Sequence, residues 1–277
     1  IKQITNLLIE VSKGRIDKSM RPNFNSEDEI AEMGQALSSS IDSLLAKTEF
    51  AKSIGHGKLD AELKLLSDED VLGQSLLEMR RSLQTAKEDE DIRKKEDDKR
   101  RWVNEGLAKF GDILRQNNDN LSKLGDELIK NLVWYLKASL GGIFVKNEEN
   151  TPVTYDLSSA FAYDRKRYLQ KSFELGEGLI GTCAAERGTI YLKEIPQDYI
   201  EVTSGLGDAN PNTILIIPLV IETEVLGVIE IAAFQDFDDF EIEFVEKLGG
   251  SIASTLRTVR VNQKTAELLE QSQQQAE

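Results

Sequence analysis

The chain reads as an α+β protein: a repeated helical unit at the N-terminus, a strand-rich domain flanked by helices, and a long C-terminal helix. Three observations predict this. Leu7, Val11, Gly14, Ile16 and Asp17 recur as Phe50, Ile54, Gly57, Leu59 and Asp60, 43 residues on, and Asp28, Ile30, Leu37 and Ile41 recur as Asp70, Leu72, Met79 and Leu83, 42 residues on. A fixed period of about 40 residues marks a repeated supersecondary unit. From Gly141 the period changes from helical to strand-like, and from Asp238 a helical seam runs on toward the C-terminus.

Each unit of the repeat is helix, glycine turn, extended connector, acidic cap, helix. Ile4, Leu7, Leu8 and Val11 make one helical stripe, and Gly14 stands where a left-handed residue ends a helix. Ile16 begins a connector through Pro22 and Phe24. Ser26 with Glu29 is a capping-box pattern, and Glu27, Asp28 and Glu29 suit the positive end of a helix dipole. Ile30, Met33, Leu37, Ile41, Leu44 and Leu45 then step as a coiled-coil seam. Nothing breaks this helix before Gly55-His56-Gly57, so it continues into the first helix of the second unit. Leu59, Leu63, Leu65 and Leu66 fill the next connector, Ser67 to Asp70 cap the next helix, and Leu72, Leu76, Met79 and Leu83 form its seam.

Residues 84–101 are nearly all charged, with Glu and Lys at i,i+4 spacing and no Gly or Pro, which predicts helix over solvated linker. Trp102, Val103, Leu107, Phe110, Ile113 and Leu114 restore an apolar stripe, which Asn117-Asn118-Asp119-Asn120 breaks. Leu121, Leu124, Leu128, Ile129, Leu132 and Leu136 form a further amphipathic helix. Strands are predicted over 142–145, 154–163, 189–195, 213–221 and 225–234, the last two joined by the hairpin-length Glu222-Thr223-Glu224. A short helix fits Leu179 to Arg187, ended by Gly188. The loop from Pro196 to Asn212 is long enough to be functional. The last helix carries Phe244, Leu248, Ile252, Leu256, Val259, Leu268 and Leu269 into a Gln-rich tail.

Composition narrows the function. The net charge of −15 argues against a nucleic-acid partner, which would need clustered Lys and Arg. One cysteine, Cys183, excludes an internal disulfide and a cysteine metal cage, and one histidine, His56, excludes a histidine metal site or triad within the chain. No run of 18 apolar residues exists to span a membrane. A start at Ile and an end inside a polar helix suggest a segment of a longer protein, with room for a membrane helix upstream.

The two repeats resemble HAMP domains, through the order stripe, Gly-x-[Ile/Leu]-Asp, connector, Asp-x-[Ile/Leu], second stripe. Neither first helix carries the proline of many HAMP domains, a residue typical of membrane-proximal copies. The resemblance implies a parallel homodimeric four-helix bundle. Residues from about 102 to 258 look like a GAF domain. The carrying residues are Gly141-Gly142-Ile143-Phe144, Gly176-Glu177-Gly178-Leu179-Ile180-Gly181, the strand from Ile214 to Leu219 with Pro218, and Glu224 to Glu230 with Gly227. That implies a central antiparallel sheet flanked by helices. The expected organisation is two HAMP-like repeats at 1–45 and 46–86, a charged signalling helix at 87–120, the GAF domain at 121–258 and a coiled-coil helix at 259–277. Such arrays are similar to bacterial sensor histidine kinases and related receptors.

The GAF pocket is the best candidate site, with Tyr163, Cys183, Tyr191, Tyr199, Ser204 and Asp208 facing or rimming it. Its ligand is an unidentified small molecule, if any. The cyclic-nucleotide signature of GAF domains cannot be placed here. Cys183 is either a buried apolar residue or a thiol that holds a bilin or senses oxidation. Gly176-x-Gly178-x-x-Gly181 matches a dinucleotide fingerprint as a string, but lacks the parallel strand–turn–helix setting and a ribose-binding acid, so it reads as a tight turn into a helix. His56 between glycines reads as a solvated turn residue, and Asp236 to Asp239 with Glu241 and Glu243 as an acidic helix start that lacks EF-hand spacing.

No kinase ATP lid is visible, and a redox enzyme would need more than one thiol, so the expectation is a non-catalytic segment with no cofactor. It would be cytoplasmic, alone or as the cytoplasmic part of an inner-membrane receptor. As a parallel homodimer it would pass a conformational change along the seam Ile30, Met33, Leu37, Ile41, Leu72, Leu76, Met79 and Leu83 to an output domain further along the same protein. The alternatives are a ligand-binding GAF sensor with the repeats as passive dimerising spacers, and a structural coiled-coil adaptor.

Overall fold

The computed structural model describes residues 2–17, 19–20, 29–116, 120–162, 171–195, 202–204, 207–209 and 211–276. The chain divides into two compact units, Ile1–Glu96 and Asp97–Glu277.

The first unit holds α1 (Lys2–Ser12), α2 (Glu29–Gly55) and the first part of α3 (Val71–Gln116). Its two glycine turns are copies of each other. Gly14 and Gly57 both have positive φ, +76° and +79°. Gly14 N–H donates to the Val11 carbonyl at 2.9 Å and Arg15 N–H to Glu10 at 3.0 Å; Gly57 N–H donates to Ile54 at 2.9 Å and Lys58 N–H to Ser53 at 3.0 Å. Both are the paired bonds that close a helix on a left-handed glycine, so the 43-residue repeat of the first halves is a repeat of structure. The second halves differ. The buried glycines Gly34 and Gly73 lie 39 residues apart, three fewer than the matched apolar residues. Three residues is close to one helical turn; at that shift Met33, Leu37 and Leu44 fall on Leu72, Leu76 and Leu83, but Ile30 and Ile41 fall on Glu69 and Arg80.

Ile4, Leu37 and Ile41 form a small core between α1 and α2, with Leu7, Val11, Ile16 and Met20 against it. Further along, Phe50 and Ile54 are buried. The second connector is tied to α3 at two points: Arg80 Nη1 donates to the Ala61 carbonyl at 2.7 Å and Gln84 Nε2 to Leu59 at 2.8 Å. Asp70 caps α3, accepting from Gly73 N–H at 3.0 Å and from the Lys47 ammonium at 2.7 Å. Lys47 and the Gly73 amide hold its carboxyl below the usual carboxylate range. The capping residues expected at Ser26 to Asp28 lie outside the described residues.

The second unit is built on a six-stranded antiparallel sheet in the order β3-β2-β1-β8-β7-β4. The strands are β1 (Leu140–Asn147), β2 (Thr154–Ala162), β3 (Ser172–Glu174), β4 (Ile190–Leu192), β7 (Thr213–Ile221) and β8 (Glu224–Ala233). A separate ribbon pairs β5 (Val202–Ser204) with β6 (Gly207–Ala209). The helices are α4 (Leu121–Tyr135), α5 (Gly178–Glu186) and α6 (Asp239–Ala276), with the end of α3.

Strand period sorts the apolar residues to two faces. Ile143, Val145, Leu215, Ile217, Leu219, Ile229 and Ile231 pack in one core with Leu128, Ile129 and Leu132 of α4 and Phe244, Leu248 and Ile252 of α6. Phe144, Ile214, Ile216, Val228 and Ala232 pack in the other with Ile180, Cys183 and Ala184 of α5. Central strands covered on both faces read as near-continuous apolar runs, which is why β7 and β8 are so uniform. The charged stretch 84–101 is helical inside α3. Beyond it, Phe110 and Leu114, at the end of the segment expected as a charged signalling helix, lie buried in the first core of the sheet unit.

Candidate functional site

The glycine motif forms the joint between β3 and α5, and its glycines serve different needs. Gly176 and Gly178 take positive φ, +85° and +59°. Gly181 has no room for a side chain: a Cβ there would lie 2.1 Å from the Glu174 carbonyl oxygen and 2.9 Å from Gly176 N. Gly176 N–H donates to the Gly181 carbonyl at 2.9 Å, and Glu174 N–H to Glu177 Oε2 at 2.8 Å. The motif follows a strand of an antiparallel sheet, so it lacks the parallel βαβ setting that makes such glycines a dinucleotide site. The helix ends one residue earlier than expected. Arg187, not Gly188, takes the left-handed conformation, at φ +56°, with its N–H donating to the Cys183 carbonyl at 2.9 Å.

Cys183 is fully buried on the inner side of α5. Its Sγ donates weakly to the Gly188 carbonyl at 3.3 Å. Burial, aided by the nearby Glu186 charge, pushes its pKa up to about 12. Thiol chemistry runs through the thiolate, so this cysteine is inert as placed. Iodoacetamide at about pH 8 is expected to leave it unmodified in the folded chain and to label it after unfolding in urea. Labelling at equal rates in both states would show an accessible thiol.

Tyr191 lies on the edge strand β4 and packs on the opposite face of the sheet from Cys183. Its hydroxyl accepts from Phe237 N–H at 2.8 Å and donates to the Phe237 carbonyl at 3.4 Å, tying β4 to the start of α6. The two residues expected in one pocket therefore do not share one, because a helix and a strand gave no common period from which to read their faces. Ser204 and Asp208 fall on β5 and β6, in adjacent rungs of the small ribbon. Tyr163 and Tyr199 lie outside the described residues.

The remaining candidates have structural partners. His56 Nδ1 is 2.7 Å from the Lys52 carbonyl at the end of α2. Asp238 N–H donates to Glu241 Oε2 at 2.8 Å, a cap on α6, and Asp236 pairs with Lys193 at 3.0 Å. Among the described residues no group of His, Cys, Asp and Glu could hold a metal ion.

The sequence did not point to a groove between α4 and β2, of about 670 Å³. Trp134 and Phe161 form its aromatic wall, with centroids 6.3 Å apart, and Lys130 Nζ lies 5.7 Å from the Trp134 ring centre. Trp134 is 59% exposed. Its one signal in the sequence was its position off the apolar stripe of α4.

A family model described as a GAF domain matches residues 118–257, just over half of the chain. The chain belongs to the GAF family. Three solved GAF domains are similar to it. That of the Acinetobacter phosphoenolpyruvate-protein phosphotransferase is 18% identical, with a TM-score of 0.47, over 57% of this chain and 96% of that one. The nlh2 GAF domain of A. aeolicus, in an inactive state, is 18% identical, with a TM-score of 0.45, over 57% and 98%. The GAF domain of a two-component sensor histidine kinase from Bacillus halodurans is 19% identical, with a TM-score of 0.39, over 49% and 95%. No curated protein matches the chain. The residues that carried the resemblance in the sequence fall in β1 (Gly141 to Phe144), the glycine joint (Gly176 to Gly181), β7 (Ile214 to Leu219) and β8 (Glu224 to Glu230).

Proposed function

We propose that the chain is a regulatory segment of a bacterial receptor, in which tandem HAMP-like repeats and a GAF domain relay a conformational signal within a parallel homodimer. One observation carries this reading. In the first unit Met33, Leu72, Met79 and Leu83 are 56%, 50%, 41% and 43% exposed although they stand at coiled-coil spacing. A row of large apolar residues facing water is the signature of a surface that another helix covers. The occupant proposed is the same seam of a second copy. Leu37 and Ile41 are buried by α1 of their own chain, and Ile30 and Leu76 are half-buried.

This division fixes the test. Leu37→Asp would damage the fold of the chain itself, whereas Met79→Asp touches the exposed seam alone. In light scattering over a range of concentrations the wild type is expected at about twice its 31.0 kDa mass. Met79→Asp is expected as a monomer with unchanged helical circular dichroism. A wild type that stays monomeric throughout overturns the reading.

The segment is proposed to act in the cytoplasm, without cofactor or nucleic acid, upstream of an output domain in the same protein, and to be non-catalytic. No helix among the described residues is long and apolar enough to cross a membrane. A second reading, a GAF sensor with the repeats as spacers, is favoured by the groove at Trp134, which has the size of a small-ligand site. A small molecule that raises the melting temperature of the chain but not of Trp134→Ala would support it.

A further inference from the structure

The helix that leads into the GAF domain and the helix that leaves it touch each other through aromatic side chains. Trp102 of α3 stacks on Tyr135 of α4, with centroids 4.6 Å apart and planes at 28°. The same ring meets Phe240 and Phe244 of α6 edge-on, at 5.2 and 5.0 Å. Tyr135 Oη donates to the Trp102 carbonyl at 2.6 Å. One turn along α3, Gly106 leaves the space those rings occupy. A Cβ there would fall 2.7 Å from Phe244 Cε2 and 2.8 Å from Tyr135 Cε1. A further turn along, Phe110 is fully buried, 5.8 Å from Tyr135 and 5.9 Å from Phe244. Trp102, Gly106 and Phe110 thus form one face of α3 at i, i+4 and i+8. Lys99 lies over Phe240 at 5.1 Å, at the edge of the cluster.

We infer that this aromatic layer is a coupling joint, which passes a displacement of α3 to α6 directly, without a path through the sheet or through the α5 face. Close-packed rings transmit a shift because there is no free volume to absorb it. Edge-to-face and stacked pairs also lose their attraction when their geometry changes. Gly106 sets the spacing, since any side chain there separates α3 from both partners at once. The inference rests on the relay reading for its purpose, and its test is independent of the oligomeric state: a monomer would end the dimer proposal and leave the coupling of α3 to α6 intact.

Amide hydrogen exchange on the full 277-residue chain tests it. Gly106→Ala is expected to speed exchange roughly tenfold in both 98–114 and 240–252, with the β7–β8 hairpin unchanged. Coupling between sites is reciprocal, so the milder Phe240→Leu, made on α6, is expected to loosen 98–114 as well. If each substitution loosens only its own helix, the joint does not exist. Should Gly106→Ala speed exchange across the whole domain, Phe240→Leu decides, and unchanged exchange in 98–114 overturns the inference.

Discussion

Gly181→Ala is expected to destabilise the GAF domain by more than about 3 kcal/mol, a large part of the 5–15 kcal/mol that holds a typical domain folded. The added methyl would stand 2.1 Å from the Glu174 carbonyl oxygen, with Gly176 N and C also too close, at 2.9 and 3.1 Å. All three are backbone atoms, so no rotamer change relieves the clash. The chain must instead part the end of β3 from α5, and with it the 2.9 Å bond from Gly176 N–H to the Gly181 carbonyl. That bond alone contributes about 1 kcal/mol. The measurement is a urea titration followed by circular dichroism. Gly250→Ala is the control. It lies in α6 with nothing beyond its chain neighbours and its own helix backbone within 4 Å of the place its methyl would take, so it should gain about 0.5–1 kcal/mol from helix preference. A Gly181→Ala midpoint equal to wild type would mean that the β3–α5 joint does not close as described.

Phe110→Ala is expected to cost about 3–5 kcal/mol, the range for removing a fully buried ring from a core. Phe110 is 0% exposed, among Tyr135 and Phe244. The interest of this loss lies in its position. The family match begins at residue 118, yet the ring belongs to the core of the same unit. Urea unfolding should show a lower midpoint with an unchanged slope, as for a change in stability alone. The comparison residue is Ile92, which is 55% exposed on the same helix; Ile92→Ala should change stability by no more than about 0.5 kcal/mol. Equal effects at the two positions would contradict the packing of α3 on the GAF domain.

The central strands were legible because burial on both faces left long apolar runs, as in Thr213–Ile221 and Glu224–Ala233. The three-residue strands Ser172–Glu174, Val202–Ser204 and Gly207–Ala209 were not, since three residues cannot display a period. The glycine motif announced a turn into a helix. That Gly181 answers to the Glu174 carbonyl, while Gly176 and Gly178 answer to φ, needed the backbone. The site was less legible than the fold. Periodicity says which residues of one helix face inward, and nothing about what they face. Leu37 and Met79 share a seam in the sequence, but one is covered by α1 and the other is 41% exposed. Trp102 and Phe110 stood out as a stripe. Gly106 between them did not, because a missing side chain leaves no apolar mark.

The sheet of the GAF domain places its long strands inside and its short ones outside. β2, β1, β8 and β7 have nine, eight, ten and nine residues, while β3 and β4, at the two margins, have three each. A sheet margin is a row of unpaired amides and carbonyls on which a foreign strand can grow, and brevity is one of the ways natural proteins deny it a template. The most apolar strands of this chain are also those with the strongest tendency toward fibrils if left open at one side. Enclosing them between two short neighbours separates cohesion from self-templating. Lengthening β4 beyond Leu192 with apolar residues would therefore be a poor way to stabilise the domain, because what it added in cross-strand contact it would return as a surface for aggregation.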